Sequence, residues 1–258
     1  MTESAKPVSI DAGADLEAPA WLAGGGEMGA RMRAKDWSAT PLGYPATWPR
    51  SVKTAVSICL NSRSPILLWL GPELRIVYND AYIPFLGDTK HPAMLGATGR
   101  EAWGEIWDTI GPMHEEVAAG RATSVEDLQM FFARRLPREE VYVTFGYTPI
   151  LGDDGRTIEG VFCACTETTG RIIGVRRLAT LRDLGARSPE QRSAELACRG
   201  AAEILRANPL DIPFAGSTCW KRERARAASP EPGCQRARPR SRKILWSLTE
   251  MPRAGLGR

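Results

Sequence analysis

The spacing of apolar residues divides the middle of the chain into strand-like and helix-like runs. Residues 65–70, Pro-Ile-Leu-Leu-Trp-Leu, form a short apolar strand. A Gly71-Pro72-Glu73 turn leads to a second strand at residues 74–78, which ends on Asn79-Asp80-Ala81-Tyr82. A third strand is expected at residues 124–132 and a fourth at 140–149, with Val141, Val143 and Phe145 on one face and Tyr142, Thr144 and Gly146 on the other. Gly152-Asp153-Asp154-Gly155 is a hairpin turn into a fifth run at residues 157–166, which contains Ile158, Val161 and Phe162. Helical spacing marks residues 50–61, where Val52, Ala55, Val56 and Cys59 share a face and Pro49 suits the first turn; this segment is expected to cap the sheet. Residues 81–86 predict a short helix broken at Gly87, and residues 92–96 a second short turn. The clearest stripe is Trp103, Ile106, Trp107, Ile110, Met113 and Val117. It predicts one helix over residues 102–119, bent at Gly111-Pro112 and ended by Gly120. The pattern predicts an α+β fold: a five-stranded antiparallel sheet with helices on one face, helical extensions and a disordered basic tail.

The flanks are patterned differently. Residues 1–35 are rich in Ala, Gly, Glu and Ser and are expected to be a flexible leader with one short helical piece. Residues 36–170 hold the sheet and its helices, including the cap helix. Residues 171–187 predict an exit helix whose Ile172, Val175, Leu178 and Leu181 form a narrow seam. Residues 188–215 predict a further helix capped by Ser188. From 216 to 258 Arg, Pro, Ala and Gly dominate without a period.

At 258 residues, with 43% apolar and 25% charged content, the chain has the make-up of a globular domain with extensions, or two small domains. No apolar run approaches the roughly 20 residues of a membrane helix, and Met1–Lys6 lacks the basic-then-apolar order of a secretion signal. A cytoplasmic location without membrane contact is expected. The six cysteines are scattered, and Cys163 and Cys165 alternate along a strand as two small core residues. With only His91 and His114 in the chain, no metal site is expected. Net charge is +4. Residues 216–258 carry eleven Lys and Arg against three Glu, so the tail holds +8 and the rest −4. No recognised motif frames Trp220 and Trp246 in that tail, and nucleic acid is not an expected partner.

Certain motifs occur in order over more than half of the chain: Trp37-Ser38-Ala39-Thr40-Pro41-Leu42-Gly43, Thr47-Trp48-Pro49, Tyr78-Asn79-Asp80-Ala81-Tyr82, Glu105-Ile106-Trp107, Phe145-Gly146-Tyr147-Thr148-Pro149-Ile150 and Gly160-Val161-Phe162. With them, the block from Trp37 to Leu184 resembles the PAS domain at the N-terminus of many bacterial sensor histidine kinases. Residues 189–215 resemble the first helix of a GAF domain. The resemblance implies a non-catalytic sensor or dimerisation module of a two-component system. Such a module pairs with a second copy or with other signalling proteins and is open to a small-molecule ligand. The kinase itself is missing from the pattern: His114-Glu115 lacks the Arg and Pro-Leu that follow in a phosphoacceptor sequence, and no ATP motif is present. The chain therefore reads as the front of a truncated kinase, with no catalytic residue. The alternatives are a stand-alone scaffold or regulator, or a haem- or flavin-binding sensor.

Relatives of this kind hold ligands between sheet and helices. Trp69, Tyr78, Trp103, Trp107, His114, Phe145 and Tyr147 are the candidate lining residues, each equally at home in a plain aromatic core. Cofactor identity stays open. Haem through His114 is one option, against a surface or helix-packing histidine. A flavin photoadduct has no cysteine in the required sequence context. Asn79 is expected to bond backbone in the turn after the second strand. Glu167-Thr168-Thr169 resembles the Asp-x-Thr signature that ends the last PAS strand, with Glu in place of Asp. The resemblance implies that Asn79, Glu167 and Thr169 transmit a signal to the exit helix, against plain capping.

Overall fold

A computed structural model describes residues 19–187 and 193–213. The basic tail, the first eighteen residues and Ser188-Pro189-Glu190 lie outside the described residues. The chain divides into two units after Gly170.

In the first unit the strands are β1 (Ile66–Leu70), β2 (Arg75–Tyr78), β3 (Thr123–Phe132), β4 (Glu139–Leu151) and β5 (Ile158–Glu167). They form one antiparallel sheet in the order β2-β1-β5-β4-β3. The register fixes the faces. Leu67 and Tyr147 both pair with Cys163, and Phe145 pairs with Cys165, so these side chains share one face. Between β2 and β3 run α3 (Ile83–Lys90), α4 (Gly99–Trp103) and α5 (Trp107–Ala118), with 3-10 turns at Asp80–Tyr82 and Gly104–Ile106. These elements cover that face. Every residue of β1 is buried, so β1 needs cover on both sides. The helix α2 (Arg50–Asn61), which packs on β1, β2, β4 and β5, supplies the second layer.

The stripe read as one helix over residues 102–119 is two helices. Trp103 (φ −133°, ψ 27°) and Ile106 (φ −120°, ψ 9°) leave the helical region on either side of Gly104. The bend falls there rather than at Gly111-Pro112, which lies inside α5. Gly120 does end α5: at φ 82° its amide donates to Val117 O and the amide of Arg121 donates to Glu116 O. The break at Gly87 is also present, at φ 59° and ψ −175°.

Ordered structure begins before residue 36. A 3-10 turn at Ala20–Leu22 and a helix α1 (Gly26–Ala34) bury Leu22, Met28 and Met32. The expected flexible leader is thus a packed element from residue 19 onward. Its cap comes from far along the chain: Asp80 Oδ2 accepts from Glu27 N at 3.0 Å, and Oδ1 from Met28 N at 2.7 Å. A Cβ on Gly26 would sit 2.0 Å from Asp80 Oδ2, which explains the glycine. Trp37 and Trp48 then pack edge to face at 5.3 Å, each indole N–H bonded to a backbone carbonyl.

In the second unit, α6 (Thr169–Arg187) beyond Gly170 and α7 (Ala194–Arg206) meet around Asp211. Arg176 grips Asp211 with two nitrogens at 2.7 and 3.0 Å, and Asn208 bridges Asp211 to Thr180. Ser193 caps α7 by accepting from Leu196 N. The seam residues Val175, Leu178 and Leu181 are exposed by 61–66%.

Candidate functional site

The sheet face under α3–α5 encloses a cavity of about 40 Å³. Its walls come from every layer. Leu67 and Trp69 of β1, Val143, Phe145 and Tyr147 of β4, and Cys163 and Cys165 of β5 form the floor. Tyr82, Phe85, Trp103, Ile106 and Ile110 form the roof, and Met130 and Phe132 of β3 close the side. Among the described residues, no charged side chain lines it. Aromatic rings fill much of the space: Tyr82 stacks on Phe85 at 5.0 Å, and Trp103 meets Phe132 edge to face at 5.2 Å.

Four of the seven expected lining residues, Trp69, Trp103, Phe145 and Tyr147, border the cavity. Trp107 and His114 form a second layer behind it. The His114 ring stacks between Tyr147 at 4.5 Å and Trp107 at 5.6 Å, with Trp69 edge-on at 4.5 Å. His114 is only 6% exposed, so the surface alternative is corrected. Among the described residues neither ring nitrogen has a hydrogen-bond partner, and burial pulls the imidazole down to about 4. Tyr78 lies apart from the cavity walls. Its hydroxyl meets His91 Nδ1 at 3.1 Å, and His91 Nε2 meets Glu27 of α1 at 3.0 Å.

Haem and flavin do not fit this arrangement. Small-molecule sites run to about 300–1,000 Å³, whereas the cavity is about 40 Å³ and His114 is packed against aromatic rings.

Beside the cavity lies Lys90, buried with its ammonium 4.1 Å from the Trp103 ring centre and paired to Glu105. Burial lowers the lysine while the Glu105 contact opposes that shift. Next to this pair a groove of about 520 Å³ runs between the Gly104–Ile106 turn, α5 and β3. Ile106, Met130 and Phe132 border both groove and cavity and separate the two.

Asn79 is fully buried and saturated. Its Oδ1 accepts from Ile66 N and Tyr82 N, both at 3.1 Å, and its Nδ2 donates to Ser62 O and Ser64 O at 3.0 and 2.7 Å. It ties the end of α2, the start of β1 and the first helical turn together. At the far end of the sheet, Glu167 takes a two-pronged bond from Arg134 at 2.8 and 2.9 Å. This contact holds the Glu167 carboxyl below its ordinary value. Arg134 also pairs with Glu139 at 3.0 Å and is itself buried. Thr169 Oγ1 accepts from Tyr142 N at 3.0 Å, fixing the first turn of α6 to β4. Backbone packing extends the cluster: a Cβ on Gly87 would lie 2.5 Å from Arg134 O.

The sequence did not single out Arg134, Tyr82, Phe85, Met130 or Phe132. Met130 and Phe132 carry a period-two signal on β3, and Tyr82 and Phe85 a three-residue one. Arg134 carries no local signal at all.

Two strands, a helical connection and three strands, with β5 in the centre of the sheet, define the architecture. The fold is the PAS fold. Among solved structures, an RNA-binding light-oxygen-voltage receptor is 18% identical over 51% of this chain and 36% of its own length, at a TM-score of 0.36. The sensory box sensor histidine kinase from Vibrio cholerae is 19% identical over 40% of this chain and 81% of its own, at 0.32. The LOV protein of Rhodobacter sphaeroides is 14% identical over 61% of this chain and 92% of its own, at 0.37. The chain thus spans about a third of the first of these. No family model matches the chain, and no curated protein does. Among the described residues no helix is long and apolar enough to cross a membrane, and no cluster of three metal-ligating side chains occurs.

Proposed function

We propose that the chain is a cytoplasmic, non-catalytic sensor module of a two-component system, the front of a longer kinase. In this reading a small molecule in the cavity changes the packing of β3 and β4 against the helices. The change leaves through Arg134, Glu167 and Thr169 into α6. One observation carries it: the pair of buried Arg134 and half-buried Glu167 sits two residues from Phe132 of the cavity wall and two from the first residue of α6. The division of labour is a sheet-and-helix sensor over residues 36–170, now extended to include α1, an exit helix to residue 187, and a GAF-like start over residues 188–215. The exposed seam of α6 supports pairing with a second copy.

The test is a fusion of the chain to an intact kinase. Glu167→Gln and Thr169→Val are expected to uncouple kinase output from the stimulus while the sensor stays folded. An unchanged response in both variants removes their assigned role. A visible spectrum and mass spectrometry of the purified protein identify any co-purified ligand.

A further inference from the structure

Three side chains around the cavity hold polar atoms with no hydrogen-bond partner among the described residues. Trp69 and Trp103 line it, are 1% and 2% exposed, and each has an indole N–H that bonds to nothing. His114, stacked on the lining residue Tyr147, leaves both ring nitrogens unpaired. Native proteins leave few buried polar groups in this condition. An indole N–H can only donate, and a neutral imidazole donates once and accepts once, so donors exceed acceptors in this set. Among the described residues no charged side chain lines the walls, which disfavours a carboxylate, phosphate or ammonium in the space. Lys90 lies behind Trp103 and is already matched by Glu105.

Resting on the sensor reading above, we infer that the cavity takes a small uncharged molecule bearing a hydrogen-bond acceptor, such as a carbonyl oxygen, received by the indole N–H of Trp69 or Trp103. Size narrows the class further. At about 40 Å³ the space holds roughly three waters, so the ligand has only a few heavy atoms unless the walls move. The wall that moves most readily is Met130, whose unbranched side chain separates cavity from groove. The groove gives the molecule its way in from solvent.

Acetone and 2-methylpropene share a shape and differ in the oxygen, so they test the class directly. The full chain, labelled with nitrogen-15, is titrated with each, and the indole N–H resonances are followed. Trp69→Phe and Trp103→Phe variants assign the two signals. Acetone is expected to move one of them downfield in a saturable way and to bind about fivefold more tightly than 2-methylpropene, in line with one net hydrogen bond. Acetate is expected not to compete. Equal affinity for acetone and 2-methylpropene, competition by acetate, or no saturable shift of either indole would each overturn the inference. The sensor reading fails separately, if the kinase fusion is indifferent to Glu167→Gln and Thr169→Val whatever acetone does.

Discussion

His114 gives the sharpest quantitative prediction. The ring is buried among Trp69, Trp107 and Tyr147, with no partner on either nitrogen, and titrates at about 4 rather than the ordinary 6.5. The folded state therefore holds the neutral ring, while the unfolded chain takes up a proton at 6.5. Above pH 6.5 the group costs nothing. Between 6.5 and 4 the unfolded state binds more protons, so stability falls as pH falls, and below 4 the loss levels off. At about 1.4 kcal/mol per pH unit, the full gap from 6.5 to 4 amounts to about 3.5 kcal/mol, of which about 3 kcal/mol is lost by pH 4. With the residue only 6% exposed, solvent screening does not reduce this figure much. A domain of this size has roughly 5–15 kcal/mol in total, so the effect is large.

The assay is urea unfolding of the full chain at a series of pH values, beside the His114→Phe variant. Phe keeps an aromatic ring between Tyr147 and Trp107 and cannot titrate. Carboxylates such as Glu167, whose stabilisation also fades as pH falls, act equally in both proteins and cancel in the difference. Relative to the variant, the natural protein is expected to lose about 3 kcal/mol between pH 7 and 4. Parallel curves, with the difference constant to within about 0.5 kcal/mol, would refute the placement of a neutral His114 in the core.

Asn79→Leu removes four hydrogen bonds and strands the amide of Ile66, while Tyr82 N keeps the Asn79 carbonyl at 3.0 Å, so thermal unfolding should show a loss of about 2–5 kcal/mol. Asp80→Ala takes the cap from α1 and is expected to cost about 1–2 kcal/mol, with faster hydrogen exchange at Glu27 and Met28 as its local sign. Gly87→Ala forces a Cβ to 2.5 Å from Arg134 O at a left-handed φ, and chemical denaturation should show at least about 1–3 kcal/mol of loss. Met130→Ala merges cavity and groove, lowers stability by about 2–4 kcal/mol and is expected to speed acetone exchange at the indole signals.

Local patterning reached α2 to the residue, because Pro49 and the apolar spacing mark both its start and its buried face. The same logic misread the long helix. Trp103, Ile106 and Ile110 keep helical spacing across the break at Gly104, since all three point into one core from separate elements. Helix α1 was expected only as one short helical piece of a flexible leader; its packing escaped because its sequence offers only Met28 and Met32 as an apolar pair, and its cap is supplied by Asp80, 52 and more residues away. His114 was legible in principle: Trp107, Ile110, His114 and Val117 lie at helical spacing, which puts Met113 on the flank. Arg134 was not. Its meaning comes from Glu167, 33 residues distant and brought near only by the register of β3, β4 and β5.

In the proposed sensor reading, that last contact decides how a cavity event would be felt at α6. Phe132 lines the cavity, Arg134 follows two residues later, and Arg134 spans to Glu167 at the end of β5. A ligand shifts such an equilibrium only by its difference in affinity for the two arrangements. One hydrogen bond to Trp69 or Trp103, made in only one arrangement, supplies about 0.5–1.5 kcal/mol, a shift of roughly two- to tenfold. Loosening a charge-assisted two-pronged pair takes about 1.5–3 kcal/mol. The two magnitudes overlap at their edge. On the proposed sensor reading, a small ligand would therefore bias the Arg134–Glu167 latch rather than break it outright, and a graded response is expected. Arg134→Lys, which keeps the charge but loses the fork, should lower the threshold, so that a fusion kinase responds at lower ligand concentration. A threshold that stays put would place the relay outside this pair.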